Sequence, residues 1–546
     1  MELFTLSIIV VAIAVHFLVS PIPEVSTELY VCPYIAANLL LYLYLLSLSP
    51  AQVTIWMPMA TANFTFLLTS ILLTTVRRLF FSPLAHFPGP KVAAVSGLWN
   101  ANQARLGRAS RNHQALHERY SSDVIRIGPN ELSINNVDAI DKLYGGKYLR
   151  GTFSQVFNIP GGDNVATLRD HKIHGAWRRI LAKAFTRGEI PHLTERLQTH
   201  IDRTVQILRE KAGSPVNCGK QFDALAFDVI LDLAFSYDGG LQEGHGDSTA
   251  ITLIHGFLGF MSFVGHLPHL QQILRYLPVP EDGKLFARLG DNILDAHQAL
   301  KPPHKDILNH LQAADRETGI VLSRRDLKQH IQIILIVGAH SVSTTLTCMF
   351  AALASRPEIQ AGLRKELNAA FDENAVLSSE TIRRLKLLDA VVKEGLRMFP
   401  PLLGGTPAIV PKGGITLDTG DFLPEHTQVY VGQRVLAWQE RYFPRATEFL
   451  PERWMEQDTE KSGNPLIEDR RAWIPFGYGT HACGGRVLAL EELKLVVARV
   501  VREFEICFRQ DLSRPFNYDD WVGGIKDHFL TVIEEIDLIF VAKTEH

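Results

Sequence analysis

No lysine or arginine occurs before Arg77, and that silence constrains the fold of this chain more than any other feature. Within it lie three apolar stretches, roughly Leu3–Ser20, Tyr30–Leu48 and Val53–Val76, each near the ~20 residues that cross a bilayer as a helix. A cleaved signal peptide is the other reading of the first stretch. It lacks the basic n-region such a signal needs, and two more apolar stretches follow. Arg77 and Arg78 close the third stretch and Lys91 comes next, so the positive-inside rule puts the remainder in the cytosol. Pro33, Asn38 and Pro58 weaken individual spans, so the expected number of spans is one to three. An odd number puts the N-terminus on the other side. The sequon at Asn63 lies within the third stretch, where no glycan is expected.

The rest is long enough for a large core: 546 residues in all, 46% apolar. A formal charge of −3 without long charged blocks argues against a nucleic-acid partner. The five cysteines, Cys32, Cys218, Cys348, Cys483 and Cys507, contain no CxxC pair, which excludes a zinc knuckle or a thioredoxin-like motif. So odd and sparse a set suits a reducing compartment. After the apolar region, "FSPLAHFPGPK" (81–91) cannot continue a helix and is predicted to be a stiff elbow. From about 92 to 400 the pattern is mainly helical, clearest over 191–211, 222–236, 325–355 and 357–372. Between 405 and 435 short β-prone runs alternate with Gly and Pro. The expected divisions are an anchor over 1–78, an elbow over 79–91 and one large catalytic unit over 92–546, mainly α with a small β portion.

"FGYGTHACGGR" (476–486) carries the chemistry. Its cysteine could fill a core, pair in a disulfide, act as a nucleophile or bind a metal. Gly479, Gly484 and Gly485 let the backbone approach a bulky flat ligand and turn N–H groups toward the sulfur. The helix expected to begin near Gly485 adds a positive dipole end, which favours a thiolate. A nucleophile needs a base and an oxyanion site, and nothing local supplies both.

The spacing Phe476-x-x-Gly479-x-His481-x-Cys483-x-Gly485 resembles the haem-ligand loop of the cytochrome P450 family. Two further elements carry the resemblance: "KEGLRMFPP", with Glu394 and Arg397 one helical turn apart, and "FLPERW" (449–454), with Arg453. ExxR also occurs at Glu380–Arg383 and Glu468–Arg471, but only the Glu394 copy precedes "FPP" and lies about 90 residues before the cysteine. The resemblance covers about residues 80–535 and implies the P450 fold behind a transmembrane anchor. It implies haem b with Cys483 as axial ligand to the iron, and a buried Glu394–Arg397–Arg453 charge network behind the loop. His174 and Arg178, four residues apart, match the propionate-binding helix, and His481 takes the slot usually held by arginine. Trp177 would pack on the porphyrin edge or in the core.

For oxygen chemistry the resemblance points to "IVGAHSVSTTL" (336–346). Gly338 would leave room for dioxygen and Ser341 would hydrogen-bond it. His340, in the place of the usual acid, would relay protons with a pKa near the working pH, or else cap a polar channel. Two other departures are Gly484, usually apolar, and Ala408 in "TPAIVP", often an arginine. Segments near 155–165, 255–267 and 400–408 are expected to face substrate, with "IHGFLGFMSFVG" (254–265) suggesting an apolar pocket.

The implied enzyme is a membrane-bound monooxygenase that oxidises a lipophilic natural product, terpenoid-like, in fungal secondary metabolism. Its implied partners are O2 and NADPH–cytochrome P450 reductase, with cytochrome b5 as a further donor, at the endoplasmic reticulum facing the cytosol. The alternatives are a haem-thiolate isomerase, dehydratase or ring-forming oxidase, and a membrane haem protein that is not an enzyme.

Overall fold

The computed structural model describes residues 2–20, 22, 26–48, 55–146, 148–158, 162–186, 188–300, 305–371, 377–455, 466–509 and 515–543. Helix accounts for 61% of it and strand for 8%, so the mainly α expectation is met.

Three N-terminal helices, Glu2–Val19, Thr27–Leu48 and Trp56–Phe81, are long and apolar enough to cross a membrane. The second runs unbroken through Pro33. Pro58 falls in the first turn of the third, where a missing N–H costs nothing. Asn63 donates to Asn38 Oδ1 (2.7 Å) and to the Met59 carbonyl, and accepts from the Tyr34 hydroxyl. The sequon side chain is thus spent as polar glue between two apolar helices. Beyond them the elbow is pinned down: the Arg126 amide donates to the Pro88 carbonyl (2.7 Å), and its guanidinium donates to the carbonyls of Arg78 and Pro129.

The helix Arg324–Ala354 is also apolar enough to span a membrane, but 72% of its apolar window is buried by protein, which makes it the core helix. Phe350 on it stacks on Phe222 (4.9 Å between centroids) and meets Phe540 edge-on. Burying such side chains contributes about 2–3 kcal/mol each. Its helical phase is interrupted by a π-helical turn, Leu335–Ala339, a feature often found at functional positions.

Among the described residues the strands form four small sheets, one of which, through Phe540, packs on the core helix. A five-stranded sheet runs in the order Val124–Gly128, Glu131–Ile134, Gln428–Tyr430, Ala408–Ile409, Leu149–Arg150. The second and third strands are parallel and the other neighbours antiparallel. The β-prone runs of 405–435 supply two of these strands. The Val124–Gly128 hairpin, inside a region whose pattern is mainly helical, was not expected.

Candidate functional site

The cysteine loop is held by contacts that exclude side chains. Gly479 has φ +67°, and a Cβ there would lie 1.8 Å from the Tyr144 carbonyl oxygen, so only glycine lets the loop dock on the helix Asp138–Tyr144. The Cys483 amide donates to the Phe476 carbonyl at 2.7 Å, closing the loop. The helix Arg486–Glu503 then begins with Gly485 as its cap, as expected. Arg486 stands over the Phe476 ring at 5.6 Å.

Cys483 is exposed, yet protein surrounds it closely enough that burial pushes its thiol up. A residue on the wall of an internal space has both properties. Opposing burial are the backbone N–H groups of Gly485 and Arg486 at the sulfur, with Arg178 and Arg486 nearby. The Arg178 guanidinium would touch a Cβ at Gly484 (3.1 Å), so the apolar residue usual there gives way to a cation beside the sulfur.

Around the loop stand Arg150, His174, Arg178 and His481. The Arg150 Nε donates to His481 Nδ1 at 2.9 Å, and the His174 and His481 rings lie 4.1 Å apart. His481 is therefore corrected from a cation to a neutral acceptor: burial, Arg150 and His174 push its pKa down to about 2. Burial, Arg150 and Arg178 hold His174 at about 4, and its buried Nε2 has no partner among the described residues. Among the described residues no carboxylate acts on Arg150, Arg178, His174 or His481. A buried guanidinium (Arg150), a half-buried one (Arg178) and an orphaned ring nitrogen, with no carboxylate beside them among the described residues, fit a dianionic ligand such as the haem propionates. Arg150 is the residue that sequence reasoning missed. It pairs directly with Ala408 across two strands, so its side chain shares a face with position 408, where an arginine is often found.

Behind the loop the expected charge network is present. Arg397 grips both oxygens of Glu394 (2.8 and 2.9 Å), and Arg453 Nε reaches Glu394 Oε1 at 3.0 Å. The Leu450 amide and the Trp454 indole also donate to this carboxylate. Burial alone would raise the Glu394 pKa, but Arg397 and Arg453 carry it below the ordinary value. Spare guanidinium N–H groups reach the carbonyls of Ala437, Ala446, Glu448, Pro444, Leu466 and Arg445. The other ExxR copies are surface features: Glu380 pairs with Arg384, and Arg471 with Asp469 and Asp138.

On the central helix Ile334, Val337, Gly338 and Ser341 form a half-buried face. A Cβ on Gly338 would meet Ile230 at 2.9 Å, so packing as well as any ligand requires a glycine here. His340 is buried and turned elsewhere, its Nε2 donating to the Thr531 carbonyl at 2.9 Å. Burial and the neighbouring His255 push its pKa down to about 3. The expectation of a proton carrier with a pKa near the working pH is therefore corrected: this imidazole is neutral and its N–H is committed to a carbonyl. Beside the open face, Phe153, Phe157, Met261 and Ile333 form an apolar cluster with Val337 and Phe529. It joins two of the three segments expected to face substrate. Phe529 takes φ +69°, a conformation a bulky residue rarely holds, and lies 4.4 Å from Phe157.

The profile of the family described as "Cytochrome P450" matches residues 94–533. This chain belongs to the cytochrome P450 family. It is 29% identical over 485 residues to "Cytochrome P450 67" of Uromyces fabae, covering 86% of this chain and 88% of that protein. Identity to "Cytochrome P450 monooxygenase BOT4" of Botryotinia fuckeliana is 30% over 446 residues, 78% and 82% of the two chains. The crystal structure of the cytochrome P450DA heme domain superposes with a TM-score of 0.67 at 17% identity, over 80% of this chain and 93% of that one, which shows the fold. The protein is thus a P450 monooxygenase that uses haem, iron protoporphyrin IX.

Proposed function

We propose that Cys483 supplies the axial thiolate and that this P450 is a membrane-anchored monooxygenase of fungal secondary metabolism acting on a lipophilic, terpenoid-like natural product. The observation that carries the assignment is the Cys483 loop: an accessible sulfur facing two backbone N–H groups and Arg178, flanked by cations that no carboxylate balances among the described residues. When bound, the thiolate-ligated haem supplies dioxygen activation. The chain's own contribution is to hold and surround that group. Arg150, Arg178 and His174 would receive the propionates, and Gly479 and Gly485 shape the loop. Phe476 and Arg486 close over it, and Glu394, Arg397 and Arg453 lock the backbone behind it. Gly338 and Ser341 would border the oxygen side, with the Ser341 hydroxyl as hydrogen-bond donor. The Phe153–Phe157–Met261–Phe529 cluster would form the apolar wall of the substrate space.

Fungal relatives named as cytochrome P450 monooxygenases support this reading, and three apolar helices, the last carrying Arg77 and Arg78 near its end, support anchoring with residues 92–546 facing the cytosol at the endoplasmic reticulum. Electrons would come from NADPH–cytochrome P450 reductase, with cytochrome b5 as a second donor. Cys483→Ala is expected to abolish the spectrum of the reduced CO complex that marks a thiolate-ligated haem. An unchanged spectrum would overturn the assignment. The committed, neutral His340 favours one other reading, a haem-thiolate isomerase or dehydratase that needs no proton delivery to oxygen; turnover without reductase or NADPH would select it.

A further inference from the structure

Away from the cysteine loop, three helices bring Asp223, His255 and His340 to one point. Asp223 comes from Cys218–Phe235, His255 from Thr249–Gly265, and His340 opens the segment after the π-helical turn. One donor atom from each lies within 4.8 Å of the others. His255 Nε2 is 3.1 Å from His340 Nδ1 and 3.6 Å from Asp223 Oδ2. Metal–nitrogen and metal–oxygen bonds of about 2.0–2.2 Å give a tetrahedron an edge of about 3.3–3.6 Å, so both separations lie close to the edges of such a site.

The surroundings of the three groups favour the same use. The Thr531 carbonyl can only accept, so His340 carries its proton on Nε2 and turns the lone pair of Nδ1 toward the cluster. The Ser343 hydroxyl donates to Asp223 Oδ1 at 2.6 Å, which fixes that carboxylate and leaves Oδ2 for the centre. A histidine tethered to a carbonyl through its second nitrogen, and a carboxylate tethered to a hydroxyl, are the supports that metal ligands commonly have. His255, with 39% of its side chain exposed, gives an ion a route from solvent, while Asp223 and His340 are buried. Occupancy needs only that the His255 ring keep its proton on Nδ1.

We propose that Asp223 Oδ2, His255 Nε2 and His340 Nδ1 form a binding site for a divalent cation of zinc type, with its fourth position open to water. Its effect would be to fasten Thr249–Gly265 to the two buried helices. The site is separate from the cysteine loop and stands whether or not Cys483 ligates haem.

The test is zinc binding by the full-length, haem-loaded enzyme in detergent, read as metal retained per chain after gel filtration and by X-ray absorption at the zinc edge. One zinc per chain is expected, with nitrogen and oxygen neighbours at about 2.0–2.1 Å and no sulfur neighbour near about 2.3 Å. His255→Ala, at the exposed ligand, is expected to keep the wild-type haem spectrum and weaken zinc binding by about tenfold or more. His255→Asn serves as the second variant. No zinc retained by the wild type at high micromolar free metal, equal retention by both variants, or a sulfur neighbour would each overturn the site.

Discussion

The two sides of this P450's core treat charge in opposite ways. Behind the cysteine loop, Glu394 is fully buried and ionised because two guanidiniums, an amide and an indole converge on it. On the central helix, where family members usually carry an acid, His340 is equally buried but neutral, with its N–H given to a carbonyl. One side keeps charge and surrounds it with partners; the other removes charge by burial. A buried charge is tolerable only when fully paired. The paired side is therefore the one most sensitive to the loss of a single partner.

The largest effect should come from breaking that pairing. Glu394→Ala leaves Arg397 and Arg453 buried without a counter-charge, at a cost of about 3–5 kcal/mol. Haem content per chain and thermal unfolding are expected to fall together. If Glu394→Gln keeps wild-type values of both, hydrogen bonding rather than charge holds the network and the contrast fails.

Glu492 tests the same rule from its exception. It lies on Arg486–Glu503, directly behind the loop, yet no cation among the described residues acts on it, and burial raises its pKa to about 8. The unfolded carboxyl ionises near its ordinary value of 4.5 while the folded one still holds its proton. Stability therefore falls as pH climbs between those two values, and below the lower one Glu492 has no influence. Glu492→Gln should remove this slope and stabilise the enzyme by about 3 kcal/mol at pH 7, at 1.36 kcal/mol per pKa unit. Denaturation at several pH values decides it: equal gains across the range would mean the carboxyl already has a partner.

A smaller effect separates Arg150 from His481. Arg150→Leu is expected to speed haem loss to a scavenger protein about ten- to a hundredfold, one charge-assisted hydrogen bond being worth about 1.5–3 kcal/mol. His481→Gln should change the rate little, because His481 is neutral and serves as an acceptor for Arg150. The opposite ranking would return the cationic role to position 481.

How much of this was legible follows from where each interaction lies along the chain. The loop 476–486 could be read because its ligand candidate, its glycines and its helix start are contiguous. Glu394 and Arg397 are one turn apart on a helix, so their partnership is local as well. Arg150 was not legible, since its pairing with Ala408 joins strands far apart in sequence. Nor could spacing decide whether His340 or Ser341 faces the open side. The π-helical turn at Leu335–Ala339 adds a residue to one turn and shifts the phase of all that follows. The cluster of Asp223, His255 and His340 depends on that same shift and on three separate helices.

The smallest expected effect is the one that bears most directly on the central helix. A proton-relaying His340 with an ordinary pKa would put an inflection into the pH dependence of NADPH oxidation, and His340→Gln would remove it. With its pKa held at about 3 and its Nε2 proton donated to Thr531, His340 should contribute no inflection between about pH 6 and 8. Chelator-treated wild type and His340→Gln, each with reductase, should therefore give parallel profiles even if their absolute rates differ. Ser341→Ala, on the half-buried face, should instead raise peroxide released per NADPH at every pH, because its hydroxyl is the oxygen-side donor the proposal assigns. An inflection lost only in His340→Gln would mean that the imidazole turns inward during turnover. The helix would then carry a working proton route, and the contrast with the Glu394 side would be one of motion rather than of charge.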